Sequence, residues 1–168
     1  ETLQSDPAGA QPMPCAGRCD SMVPVIVGDN VLTGTTAETL THTPTPVPPP
    51  NPGGIEECCF RHIREEGRHT LDGYRATGGY AAFENALKHL TPEDVINVVT
   101  ESRLAGRGGA GFPTGIKWNA VRDAEGDPKS IVCNADEGEP GCFKDRALMD
   151  HDPHSLIEGM LTAAFAAG

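Results

Sequence analysis

Aromatic side chains are scarce in this 168-residue chain: five Phe, two Tyr and one Trp, 5% of positions. Hydrophobic residues reach only 38%, beside 20 Gly and 15 Pro, which is poor material for one dense core of this length. One compact domain plus a loosely built part is the expectation. Long apolar runs are also missing, the longest being VPVIV at 23–27 and LTAAFAA at 161–167. Both fall far short of the roughly 20 residues that cross a bilayer. The opening residues ETLQSDPAGAQPMP offer neither the basic start nor the apolar stretch of a signal peptide. A soluble, cytoplasmic setting follows, in which six cysteines are expected as reduced thiols or metal ligands. Basic charge is short too: 13 Lys and Arg face 24 Asp and Glu, a formal charge of −11. Phosphate backbones are held by clustered Lys and Arg, so nucleic acid is excluded as the main partner.

What is abundant is punctuation. Residues 44–52, PTPVPPPNP, hold six prolines in nine positions, an extended stretch with fixed φ and few backbone donors. It separates a short N-terminal piece, 1–43, from a C-terminal part, with 44–69 as the linker and 70–168 as the larger domain. In the first piece, VPVIV, the turn-like GDN and VL predict a hairpin. In the second, TPEDVINVVTES from Thr91 has an N-cap Thr, Pro at the first helical position and Val95, Val98 and Val99 on one face. KSIVCN, 129–134, suits a buried strand in which Cys133 packs. Asp152 and Pro153 repeat the cap-and-proline pattern ahead of a helix apolar almost all round. Its packing partners are not evident in the sequence, and no initiator Met opens the chain, so a fragment of a longer protein is expected. Such a fragment, with that helix uncovered, should be aggregation-prone.

The segment AGRGGAGFPTGIKW, 105–118, carries five glycines in fourteen residues. Gly106, Gly108 and Gly111 satisfy GxGxxG, but a dinucleotide-binding turn needs a strand before the motif, and here a helix precedes it. A phosphate P-loop fails because Ile116, not Lys, follows Gly115. Two readings remain: a flexible surface loop, or a backbone without side chains that approaches a flat or phosphorylated ligand, with Arg107 and Lys117 supplying charge. Further on, NADEGEPGCFKDR, 134–146, sets Asp136, Glu137 and Glu139 just past the expected strand, where ligands of α/β proteins sit. The alternative is a solvated acidic turn followed by a Lys144–Asp145 pair. Cys58 and Cys59 have no assigned role, and no cysteine pair here has good zinc spacing. His151 and His154 flank a helix start and are not read as ligands.

Taken together, GRGGAGFPTGIKW, CNADEGEPGCFKDR and HDPHSLIEGM resemble the flavin- and NADH-binding subunit shared by respiratory complex I, NAD-reducing hydrogenases and NAD-dependent formate dehydrogenases. The resemblance covers about residues 70–168, including a GGYAAFENAL helix. It implies an α/β fold, the N-terminal part of an FMN-binding domain, with NADH stacked on the flavin. By position, Gly106, Arg107, Gly108, Gly109, Ala110, Gly111 and Phe112 would form the flavin loop, with Lys117 as its basic contact. Asn134, Asp136 and Glu137 would hold flavin polar groups, while Phe112, Lys117, Glu137 and Glu139 would face the nicotinamide nucleotide. Hydride passes from nicotinamide to flavin without a protein acid or base, so no catalytic residue is implied. The family's [4Fe-4S] ligands lie beyond this chain. NADH and the other subunits of a multi-subunit dehydrogenase are the implied partners.

PCAGRC, 14–19, with PVIVGDNVL and TAETL after it, resembles the second half of a thioredoxin-like [2Fe-2S] domain. Cys15 and Cys19 would be two of its four thiolate ligands. That order, a partial thioredoxin-like α/β piece, a linker and a flavin domain, implies a fused flavoprotein of the formate dehydrogenase or hydrogenase kind over a plain complex I subunit. Two other classes stay open: a truncated, non-catalytic assembly module that keeps the fold, and a zinc- or thiol-based binding module built on the six cysteines.

Overall fold

The computed structural model describes residue 18 and residues 24–27, 30–33, 46–51 and 58–168. They divide into two units. One takes in what is described of residues 1–48 together with Glu137–Phe143; the other comprises Pro49–Asp136 and Lys144–Gly168.

In the first unit, β1 (Val25–Val27) and β2 (Asn30–Leu32) pair antiparallel, Val25 opposite Leu32 and Ile26 opposite Val31. This is the expected hairpin. Its buried anchor is Leu32. Cys15 and Cys19 lie outside the described residues.

The second unit holds six helices: α1 (Leu71–Ala76), α2 (Ala81–His89), α3 (Pro92–Glu101), α4 (Thr114–Asp123), α5 (Lys144–His151) and α6 (Pro153–Ala167). Hairpin and helices together make an α/β fragment. Residues 58–70, most of them given to the linker above, run as successive turns that bury Ile63 and Arg68. Helix α3 begins as its sequence demands. The Thr91 hydroxyl accepts from the Asp94 amide, and the Asp94 carboxylate accepts from the Thr91 amide at 2.8 Å, a capping box. Donation from the Thr91 hydroxyl at 2.6 Å, and then from the Thr91 amide, holds the Asp94 carboxyl below the usual carboxylate range. The buried face is the expected one only in part. Val95 and Ile96 are buried while Val98 is 57% exposed, because α4 and α6 both pack on α3 and select the stripe from 95, 96 and 99. Ala86, Val95, Ile96 and Ala166 form the core, flanked by Leu90, Trp118 and Phe165. Full burial of a side chain such as Ile96 is worth about 1.5–3 kcal/mol.

Helix α6 does find partners, contrary to expectation. Each of the other five helices contacts it, and Ala163, Ala166 and Ala167 are buried, although Ile157 and Leu161 stay exposed. Small residues let neighbouring backbones come close along that face. Asp152 precedes Pro153 as predicted, yet its side chain makes no cap bond. It instead accepts from Arg68 Nε at 3.0 Å, both groups buried. Helix α2 has no cap of its own either: its N-cap, Tyr80, sits at φ 65°. Glu158 of α6 supplies one, its carboxylate accepting from the amides of Tyr80 at 2.8 Å and Phe83 at 3.1 Å.

The strand expected at 129–134 is absent. The backbone there has no ladder partner, Val132 is 82% exposed and Cys133 is exposed. Strands need a neighbour to satisfy alternate amides and carbonyls, and among the described residues of this unit no other strand exists. β-propensity without pairing leaves a segment with no regular secondary structure.

Candidate functional site

The glycine-rich loop joins α3 to α4 and is pinched shut at its base. Ala105 and Pro113 form an isolated antiparallel bridge, the Gly106 amide donates to Phe112 O at 2.9 Å, and the Thr114 amide donates to Leu104 O at 2.9 Å. The span from 106 to 112 is exposed throughout. Gly109 (φ 133°) and Gly111 (φ 63°) occupy backbone regions that a side chain disfavours. Gly108 does not, and a Cβ placed on Gly108 would meet nothing within 4 Å. The fold itself therefore makes no demand for glycine at 108.

Immediately after the loop, α4 starts at Thr114 with Pro113 as N-cap and no side-chain cap bond. Gly115 is buried because a Cβ there would lie 2.1 Å from Thr100 Oγ1 and 2.9 Å from Thr100 Cα, so α3 and α4 touch backbone to backbone. One face of α4 then lines an open hollow of about 420 Å³ whose wall includes Phe112, Lys117, Ala120, Val121, Lys129 and Ser130. Phe112 and Lys117, both singled out from the sequence, are thus brought to one cavity. The wall at Ala120, Val121 and Ala124 was missed, although an i, i+1, i+4 apolar set along a helix could have signalled it. Lys129 had no such signal: a lone Lys after a helix carries none until its partners are seen.

From Ser130 the chain runs without helix or strand to Asn134 and Asp136, both exposed, with the Asp136 amide donating to Asn134 Oδ1 at 3.3 Å. Glu137 and Glu139 belong to the other unit. There Glu137 takes a left-handed φ of 36°, the Cys142 thiol lies 3.6 Å from its Oε1, and the Cys142 amide donates to Glu139 O at 3.1 Å. The Lys144–Asp145 pair forms at 2.9 Å. Arg107 and Ala110 are exposed on the loop.

A second polar cluster escaped the sequence altogether. Arg68 lies 4.2 Å over the Tyr74 ring and donates to Thr77 Oγ1 as well as to Asp152. Tyr74 donates to Glu158 Oε2 at 2.5 Å, and Tyr80 OH shares a hydrogen with His154 Nδ1 at 2.9 Å. Burial, and then the hydrogen bond to Glu158, push the Tyr74 phenol well above its usual range. Every one of these groups is used up on another. The cluster fastens α1 and α2 to α6 and offers little to a ligand.

Among the described residues no group of three His, Cys, Asp or Glu side chains could hold a metal ion, and no helix is long and apolar enough to cross a membrane. What the loop and hollow can do is narrower: present bare backbone, the cations of Arg107, Lys117 and Lys129 and one exposed ring to a planar or anionic molecule.

Known proteins point the same way. The Nuo51 FMN-binding domain family matches residues 99–168. An NADH-quinone oxidoreductase subunit of Rhizobium meliloti is 52% identical over 114 residues, 68% of this chain and 27% of that protein. The corresponding NADH-quinone oxidoreductase subunit of Aquifex aeolicus is 51% identical over 100 residues, 60% of this chain and 23% of its own length. The alpha subunit of the NAD-reducing hydrogenase HoxS of Cupriavidus necator is 57% identical over 79 residues, 47% of this chain and 13% of its own length. The chain thus spans about a quarter, or less, of the curated relatives it matches. The resemblance drawn from the three motifs holds: residues 99–168, loop, hollow and closing helix included, match the Nuo51 FMN-binding domain family.

Proposed function

We propose that this chain contributes the N-terminal part of the FMN- and NADH-binding site in the flavoprotein subunit of an NADH:acceptor oxidoreductase. The observation that carries the proposal is Gly108. It has an ordinary φ and open space around it, so the fold makes no demand for glycine there and leaves a bare backbone open to a ligand approaching from outside. The residues fit FMN in kind: bare amides at 106–111, the Lys117 cation for a phosphate or an anionic flavin, and Phe112 at the mouth of the hollow as a ring to shield or stack. Bound FMN would supply a two-electron acceptor for hydride that releases electrons singly. This chain's residues bind and orient. Asn134, Asp136 and Glu137 are the proposed partners of flavin polar groups, and Glu137 and Glu139 the proposed acceptors of nucleotide hydroxyls. No side chain need move a proton.

The relatives named above support the complex I and NAD-reducing hydrogenase types, both multi-subunit, and other subunits are the proposed partners, with NADH as substrate. The formate dehydrogenase arrangement rests only on the order of N-terminal piece, linker and flavin segment. Cys15 and Cys19 as [2Fe-2S] ligands, a [4Fe-4S] acceptor held elsewhere, and a cytoplasmic location rest on the sequence resemblance alone.

The test is Gly108→Val in the complete gene product. Because a Cβ at 108 meets nothing, the variant should fold with an unchanged melting temperature. It should nonetheless lose FMN on desalting and with it NADH-dependent dye reduction. Full FMN retention would make 105–113 a surface loop and remove the proposal.

A further inference from the structure

We infer that Lys129 is a positioning residue, a single ammonium clamp that fixes the C-terminal ends of α4 and α6 beside the hollow; as a statement about ligand binding, this rests on the function proposed above. Its Nζ donates to Arg122 O in the last turn of α4 at 2.6 Å and to Ala167 O, the last residue of α6, at 3.2 Å. The Arg122 carbonyl is among the groups a helix end leaves without intrahelical partners, and such groups carry the negative end of the helix dipole. Helix α6 has no basic residue in its last turn. Gly168 follows with a left-handed φ of 96°, its amide donating to Ala164 O at 3.1 Å, and the cation at this end of the helix comes from outside it. The Lys head group is compact, with three donors to share, which is what two convergent carbonyls require.

Position gives the clamp its consequence. Lys129 lines the 420 Å³ hollow that Phe112 and Lys117 share, and also a second one of about 240 Å³ against Ala164 and Ala167. It is likewise the first residue of the irregular stretch leading to Asn134 and Asp136, which no ladder bond holds. Its two bonds anchor the near end of that stretch to α4, the helix that carries Lys117. Without them the hollow's two walls lose their common tie.

Lys129→Met keeps the length and removes the donors; Lys129→Arg keeps charge and donors; Thr91→Ala, which breaks the capping box at the far end of α3, serves as a destabilised control. All are made in the complete gene product. Amide hydrogen exchange should quicken roughly ten- to a hundredfold in Lys129→Met at 120–124, 130–136 and 164–168, and FMN should dissociate faster by a similar factor. Lys129→Arg should restore both, and Thr91→Ala should change neither. Unchanged exchange in those turns would overturn the clamp. Faster exchange with unchanged FMN retention, or FMN loss equal to that of Thr91→Ala at matched melting temperature, would overturn the positioning role. A parent protein that binds no FMN would remove the proposed function, while the exchange data still decide for or against the clamp.

Discussion

Two polar regions of the helical unit are built on opposite rules. At the junction of α1, α2 and α6, Arg68, Tyr74, Asp152 and Glu158 bond to one another and to backbone amides. Burial there leaves no polar group to spare, as a low-dielectric setting demands. Around the loop at 105–113 the bonds are confined to the base, and the glycines, Phe112 and Lys117 face outward. Polar side chains that satisfy each other hold a fold together. Backbone and side chains whose bonding capacity is kept in reserve, on a loop whose shape is set by its ends, are what a ligand site needs. The contrast explains why the junction, although chemically richer, is the poorer candidate for binding.

The comparison breaks most easily at Arg68. Arg68→Ala would leave the Asp152 carboxylate, only 2% exposed, without its cation, and loss of one partner from a buried pair costs about 3–5 kcal/mol. Denaturant unfolding should show that loss, and the double variant Arg68→Met with Asp152→Asn should recover much of it. A drop under about 1 kcal/mol, the range of exposed pairs, would mean that water reaches the junction and the contrast with the loop is one of degree.

Next in size is Gly115→Ala, which sharpens the distinction between glycines needed by the fold and those that are not. Its Cβ would run into the Thr100 side chain and backbone, and overpacking of that kind costs about 1–3 kcal/mol, less the up to about 1 kcal/mol that Ala gains over Gly inside a helix. Gly108→Ala, on the open loop just before α4, should stay within about 0.5 kcal/mol of the parent. Thermal melts of the two side by side decide it: equal stabilities would erase the distinction on which the choice of Gly108 rests.

How much of this was legible depended on whether a feature is local. The hairpin, the start of α3 at Thr91 and Pro92, and the start of α6 at Pro153 are set by residues within a few positions of each other, and all three were readable. The loop's character followed from its own glycines. What failed was everything decided by distant neighbours. On α3, Val98 was placed on the buried face and Ile96 left off it, because α4 and α6 choose that face. Residues 129–134 were assigned a strand on β-branched content, but pairing makes a strand. Asp152 was taken for a cap because it stands before a proline, whereas Arg68, 84 positions away, claims its carboxylate. Lys129 and Glu158 act through contacts 38 and 78 positions off, and no pattern in one sequence signals those.

The smallest effect is expected at Tyr74, and its sign carries the information. Tyr74→Phe keeps the ring against Tyr80, 5.0 Å away between centroids, and removes only the hydroxyl that donates to Glu158. Glu158 keeps the amides of Tyr80 and Phe83, so no buried acceptor is orphaned and the cost near neutral pH should be about 1 kcal/mol. The Tyr74 phenol is held well above its ordinary value in the folded chain, through burial first and Glu158 second, while in the unfolded chain it ionises near about 10. A raised native pKa means stability fully present below the unfolded value and lost as pH rises past it, since ionisation then favours the unfolded chain. The phenylalanine variant lacks that liability. Urea unfolding of both proteins at rising pH should therefore show the gap between them shrinking above about pH 10. A gap that stayed constant or widened would mean that Tyr74 ionises in place, and that the junction is as open to solvent as the loop.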